Sequence, residues 1–250
     1  MCQKRLDECP KIDKAIIRQY SSDQFGEQSG GQLSKAPNRQ NIIDENLDYY
    51  LKKLKSDISN IDLKKTAERI GTKFSDNKLA LKVLGKPFNI DTNGKIFTDI
   101  HVNPWVVSPV LDYIIDGKGL QPFGKWVSFR ELKDGWDLYP LFEKRCEGVM
   151  KEVADTYTDL FSDLVQIFGG KKVEKQFESD ISVVLHVLPR VPVMICYWMP
   201  EDGLGSSLNI FFDESADKNL SIDSIFALGT GLAQMFEKLT LKHGFADIKI

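Results

Sequence analysis

The sequence is short of histidine, has no patterned cysteine and no long apolar run, and each shortage removes a class of function. Only three histidines occur, His101, His186 and His243, which is little material for a histidine-built metal centre. The four cysteines, Cys2, Cys9, Cys146 and Cys196, form no CxxC pair, so free thiols rather than a disulfide framework are expected in a cytosolic chain; Cys2 and Cys9 could bind a metal or form a redox pair but lack cluster-binding spacing. No stretch of about 18 apolar residues exists, so no membrane-spanning helix is expected. Lys and Arg number 33 against 36 Asp and Glu, for a net charge of -3, which lacks the basic footprint of a nucleic-acid binder. The phosphate loop, the zinc-protease helix motif and the nucleophile elbow are all missing.

What remains is a globular chain. It has 250 residues, 42% of them hydrophobic and 28% charged, enough to close a core. Met1–Arg18 spreads its charges with no apolar run of the kind a signal peptide needs, so the cytoplasm is the expected compartment. Residues 19–41 are rich in Gln, Ser, Gly and Asn. A flexible or extended arm over residues 1–41 and a single domain over 42–250 are therefore expected.

Leu47, Tyr50, Leu51, Leu54 and Ile58 recur at helical spacing, and a second short helix follows from Asp62 to Gly71. The period then changes to two. Leu79, Leu81 and Val83, then Phe88 and Ile90, alternate with polar neighbours, and Asp91-Thr92-Asn93-Gly94 is a turn, so two or three antiparallel strands are expected between 79 and 98. Asn103-Pro104 and Ser108-Pro109 each look like a cap followed by a first-turn proline, one of them opening a helix that Gly117 stops. Ser128 and Glu131 have capping-box spacing. Residues 137–168 carry one long helical stripe, with a break inside it allowed by its length. Three strand runs follow, Ile181–Leu188, Val191–Met199 and Leu204–Asp213, then a helix from Ser221 to Lys242. The grouping predicts an α+β fold with antiparallel sheet, an N-terminal hairpin plus a C-terminal three-stranded meander packed with several helices, one of them long.

Three segments, GKWVSFREL at Gly124–Leu132, PWVVSPVLDYIID at Pro104–Asp116, and LPRVPVMICYWMPEDGLGSSLNIFFDESA at Leu188–Ala216, resemble the domain of unknown function 3786 family of anaerobic bacteria and archaea. The resemblance covers roughly residues 45–243 and carries no established activity. Its members include some that resemble fusions with an iron–sulfur domain, which is also seen beside corrinoid proteins. It therefore implies cofactor handling in one-carbon or redox metabolism, with a corrinoid or iron–sulfur protein as partner. Many members carry a histidine where this chain has Asp112, so a ligand role for that histidine does not transfer.

Candidate chemistry is sparse. His186, in a strand, and His101, in a loop beside Trp105, are candidate axial ligands for haem or a corrinoid, imidazole being a common metal ligand. An ordinary sheet histidine is the alternative for His186. His243 suits a helix C-terminus. Phe123, Gly124, Trp126 and Arg130, with Trp105 and Trp198, are candidate lining for a flat cofactor. Arg130 would pair with a cofactor carboxylate or form a structural salt bridge. Asp202 and Asp213, among the carboxylates at 201–217, are candidate metal ligands, with a solvated loop as the alternative. Gly229-Thr230-Gly231 reads as close helix packing, and Cys146 and Cys196 as buried and inert. The expected function is non-catalytic binding of a corrinoid or other tetrapyrrole such as haem. Two alternatives stand beside it: a metal-dependent enzyme using carboxylates near 201–217, and a protein interaction module. Neither a nucleic-acid nor a membrane partner is expected.

Overall fold

The computed structural model describes residues 51–53, 55–98, 103–157 and 159–242. The chain divides into two units, Met1–Glu45 and Asn46–Ile250. The first lies outside the described residues, and with it the expected arm, Cys2 and Cys9. His101 and His243 lie outside them too.

Residues 51–53 and 55–58 are helical. Helix α1 (Leu63–Ile70) begins where the Asp62 carboxylate accepts the amides of Lys64 and Lys65 at 3.0 and 3.2 Å, and it buries Leu63, Thr66, Ala67 and Ile70. Next comes a four-stranded antiparallel sheet in the order β1 (Lys73–Ser75), β2 (Lys78–Val83), β3 (Lys86–Asp91) and β4 (Ile96–Thr98). β1 adds a strand to the expected ones. It is joined through Asp76 and Asn77, whose φ angles of 49° and 61° give the left-handed turn that suits a hairpin's twist. Asp91 holds the β3–β4 turn, accepting the amides of Asn93 and Lys95 at 2.9 Å each.

Helix α2 (Pro104–Asp116) starts at Asn103, whose side chain accepts the Val106 amide at 3.1 Å. Pro109 lies inside that helix. Of the two cap-plus-proline pairs, the first is the start. After α2, β5 (Trp126–Ser128) leads into a short turn carrying the expected capping box, Ser128 with Glu131.

The long stripe at 137–168 resolves into separate pieces. Helix α3 (Tyr139–Phe142) runs through a π turn (Glu143–Glu147) into α4 (Gly148–Thr156). The chain then turns extended at Tyr157 (φ -115°, ψ 94°) before α5 (Leu160–Phe168). That departure lets the Tyr157 hydroxyl donate to Asp163 at 2.5 Å, across the break.

The second sheet is antiparallel, ordered β5-β9-β8-β7-β6, with β6 (Lys171–Lys172), β7 (Ile181–Leu188), β8 (Val191–Trp198) and β9 (Ser207–Asp213). β7, β8 and β9 are the expected meander. β5 and β6 extend it on either side. Helix α6 (Ala216–Asn219) and the long α7 (Ile222–Lys242) close the described chain. The fold is α+β.

One face of this sheet, with Val183, Leu185, Val193, Ile195, Ile210 and Phe212 all buried, meets the helices. There Phe129 stacks on Phe142 with centroids 4.1 Å apart, and Phe212 and Phe226 approach Phe129 edge-on at 6.3 and 6.2 Å. Such packing is favourable beyond the area it buries. Gly229 and Gly231 of α7 are small for packing reasons. A Cβ there would lie 2.6 Å from the Phe142 ring or 2.7 Å from Val106. Leu84, at the β2–β3 turn, donates its amide to the Val187 carbonyl at 3.1 Å and ties the two sheets together.

Candidate functional site

The opposite, outer face of the second sheet carries four of the expected site residues, Trp126, His186, Trp198 and Asp213, and spreads them apart. Strand register puts Trp126 opposite Asp213, His186 opposite Pro192, and Trp198 opposite Ser207. All share that face. Trp198 lies at the far end of the sheet from Trp126, about 20 Å away along β9 at the usual rise per strand residue. His186 is exposed and lies on β7, three strands from β5.

Phe123, Gly124 and Asp213 do come together, through main-chain hydrogen bonds. The Asp213 carboxylate accepts the amides of Phe123 (2.8 Å), Gly124 (2.7 Å) and Ser215 (3.0 Å). Burial pushes its pKa up, but Ser215 and the amides of Phe123 and Gly124 outweigh that and hold it below the usual carboxylate range. The carboxylate pins a loop whose Phe123 side chain is 57% exposed. Asp202 is exposed in the β8–β9 turn, and β9 separates it from Asp213, the other candidate metal ligand. Among the described residues no group of three or more His, Cys, Asp or Glu comes together to hold a metal ion. Arg130 is exposed, and its guanidinium lies 5.4 Å from the Tyr139 ring centroid. Trp105 is half-buried on α2, beside Gly231.

Trp198 belongs to a real concavity, a groove of about 350 Å³. Its floor is Trp198, Ser207 and Asn209 on the outer sheet face. One wall is the β8–β9 turn, with Met199, Glu201, Leu204 and Gly205. The other is the loop before β7, with Glu178 and Asp180. The turn is closed by main-chain hydrogen bonds between Glu201 and Leu204, 3.2 and 2.6 Å long, which is why β9 starts at Ser207 rather than at the expected Leu204.

The loop is held firmly. Phe177 stacks on Phe211 at 4.3 Å. The Ser179 and Ser182 hydroxyls meet at 2.7 Å, and Ser182 also accepts the Gln176 amide at 2.9 Å. Asp180 accepts the Met199 amide at 2.8 Å and faces Lys175 at 3.6 Å. Phe177 and Glu178 both sit in the left-handed region, φ 51° and 59°, a costly conformation for residues with a Cβ. Those contacts offset the cost and set Glu178 on the groove's rim. Neither Glu178 nor Glu201 pairs with a cation among the described residues, while Met199 (50%) and Leu204 (76%) stand exposed beside them.

A second polar centre escapes sequence reading. Glu147 is 2% exposed. It accepts the Ile210 amide at 2.9 Å, where β9 runs past the end of β5, and the Tyr139 hydroxyl at 3.2 Å. Burial raises its pKa above the ordinary glutamate value against those hydrogen bonds. The Tyr139 pKa is pushed up to about 12, by burial first and then by Glu147 and Glu143. A regular helical period keeps Glu147 off the apolar stripe; the extra residue of the π turn rotates it inward. Phe177 and Glu178 were missed because they lie in a charged loop with no periodic signal, and an aromatic side chain in such a loop is the only hint.

The groove combines an aromatic floor, apolar edges and three carboxylates, those of Glu178, Asp180 and Glu201. Nothing among curated proteins or solved structures matches this chain. A family model does match, described as a domain of unknown function (DUF3786), over residues 62–235, well over half of the chain. The segments that form the groove and the π turn fall within that span, and the chain belongs to the DUF3786 family.

Proposed function

We propose that this protein is a non-catalytic interaction module whose groove takes a basic, partly apolar segment of a partner protein. One observation carries the reading: Glu178 and Glu201, with no cation partner among the described residues, flank Trp198, Met199 and Leu204 in a single groove of about 350 Å³. A lysine or arginine side chain matches that lining. Its methylene stem lies on apolar surface, its charged head reaches a carboxylate, and a cation over an indole ring is itself favourable. Aromatic and methionine side chains are what binding surfaces concentrate. The iron–sulfur or corrinoid protein implied by the family's company is the first partner to try.

A tetrapyrrole is the second reading, favoured by the half-exposed Trp198 ring. The carboxylates of haem would face Glu178 and Glu201, so a corrin with its amide fringe suits the groove better than haem does.

The test uses an acetylated, amidated Lys-Leu-Arg-Leu-Lys peptide, its glutamate counterpart, and cobalamin and haem as separate ligands. The basic peptide binds, and the acidic one does not. Glu178→Lys with Glu201→Lys weakens binding at least tenfold, and raising salt weakens the wild type in the same direction. Glu178→Gly removes one carboxylate and relieves its left-handed backbone, so it weakens binding without loss of stability. Equal affinity for both peptides overturns the reading. A saturable cobalamin spectrum that Trp198→Ala abolishes replaces it with the corrinoid one.

A further inference from the structure

We infer that Arg190, Tyr113 and Thr72 form a binding site for a small oxyanion, a phosphate or carboxylate group. Arg190 lies at the opposite end of the β7–β8 hairpin from the groove, and the site is independent of it. Tyr113, on α2, is fully buried, and its hydroxyl has no hydrogen-bond partner among the described residues. An orphaned buried hydroxyl is uncommon, because leaving one costs as much as a lost hydrogen bond. The Thr72 hydroxyl, just past the end of α1, is likewise buried and unpartnered.

Arg190 sits in the tight turn between β7 and β8. It is half-buried, and among the described residues its guanidinium makes no ion pair or hydrogen bond. It packs so closely on Gly71 that a Cβ there would collide with its Nη2. Gly71 is left-handed, φ 69°, as the cap of α1, so both the backbone and the neighbouring arginine require glycine. The closeness of Arg190 to Gly71 brings it beside Thr72. Its charge also reaches the Tyr113 hydroxyl, as does that of Arg69. Burial dominates there and pushes the Tyr113 pKa up to about 12, with Arg190 and Arg69 pulling the other way. Tyr113 is thus a neutral donor at physiological pH.

Arg69 is already engaged. It donates to the carbonyls of Gly117, Ile114 (2.7 Å) and Ile115 (3.0 Å) at the end of α2, and Asp116 acts on it. It adds positive charge without competing for the ligand. The free groups are therefore a guanidinium and two hydroxyls, which is donor chemistry for an oxyanion: the guanidinium fork fits two oxygens of a phosphate or carboxylate, and the hydroxyls serve the rest. Gly71 is exposed, Arg190 and Thr72 are half-buried and Tyr113 is fully buried, so the three donors run inward from the surface at Gly71.

The test titrates the full chain with inorganic phosphate, and separately with acetate, in buffered chloride of constant ionic strength. Calorimetry and the melting temperature are the readouts. One of the two anions binds saturably and raises the melting temperature, and which one does so identifies the group. Arg190→Gln reduces that affinity about tenfold or more, the usual scale for a charge-assisted contact. Tyr113→Phe reduces it severalfold while the ligand-free variant melts no lower than wild type, because the deleted hydroxyl had no partner. The inference fails if neither anion binds saturably, if Arg190→Gln binds as wild type does, or if Tyr113→Phe is destabilised without ligand.

Discussion

Replacing Glu147 with alanine lowers stability by roughly 2–3 kcal/mol, or about 5–10 °C in melting temperature for a chain of this size. The loss has two parts. The amide of Ile210 and the hydroxyl of Tyr139 both donate to Glu147, and truncation leaves them buried without an acceptor. It also opens space between the π turn and β9. Glu147→Gln keeps an acceptor for Ile210 and loses far less. The two variants also differ from wild type in pH dependence. Burial raises the Glu147 pKa in the folded state above its ordinary value. The native protein therefore holds that proton to higher pH than the unfolded chain does. Stability from this group is fully present below the unfolded pKa and is lost as pH rises through the folded one. Glu147→Gln has no such titration, so it gains on wild type between mildly acidic and neutral pH. Urea unfolding at several pH values measures this. Parallel profiles for the two proteins would show that Glu147 does not titrate with folding.

Asp213→Ala costs about 3 kcal/mol or more, because three main-chain amides lose a shared, charged acceptor. The effect concentrates on the loop between α2 and β5. Asn219 still holds that loop at Leu120, accepting its amide at 2.9 Å and donating to its carbonyl at 3.0 Å, but the Phe123–Gly124 end is released. Hydrogen exchange at Phe123 and Gly124 accelerates strongly in the variant, while the inner strands β7 and β8 change little. The pH dependence has the opposite sign to that of Glu147. The folded pKa of Asp213 lies below its ordinary value, so its contribution is present above the unfolded pKa and is lost as pH falls through the folded one. Slow exchange persisting at those amides in Asp213→Ala would contradict the anchoring role.

Local signals were the legible part of the fold. Asp62 before α1 and Gly71 after it, Asn103-Pro104 at α2, the Ser128–Glu131 box and the Asp91–Gly94 turn each act within a few residues, so sequence spacing reveals them. β5, β6 and β1 are three residues long or fewer and too short to show a period. β5 and β6 exist because distant or flanking strands offer unpaired backbone. The break at Tyr157 carries no proline or glycine, and the π turn leaves only a subtle shift of phase. The site was less legible. Trp198 was singled out as an aromatic and does line the groove, but its neighbours Glu178 and Asp180 arrive through a loop that Phe177 anchors on Phe211. That contact spans 34 residues of sequence between Phe177 and Phe211, and no motif records it. Asp202 and Asp213, both candidate metal ligands, are close in sequence, yet the extended strand β9 drives them apart.

The central claim is that the groove around Trp198 is a binding site for a basic segment. Tryptophan indole groups are few here, four in the chain, and each gives a separate signal in a nitrogen–proton correlation spectrum of labelled protein. The most direct measurement follows those signals during titration with the Lys-Leu-Arg-Leu-Lys peptide, with Trp198→Phe to assign the signal. The account predicts that the Trp198 indole shifts saturably, together with the amides of Glu178, Met199 and Ser207, while Trp105 stays in place. A saturable shift centred on another tryptophan, or no shift at Trp198 while the peptide binds, would contradict it.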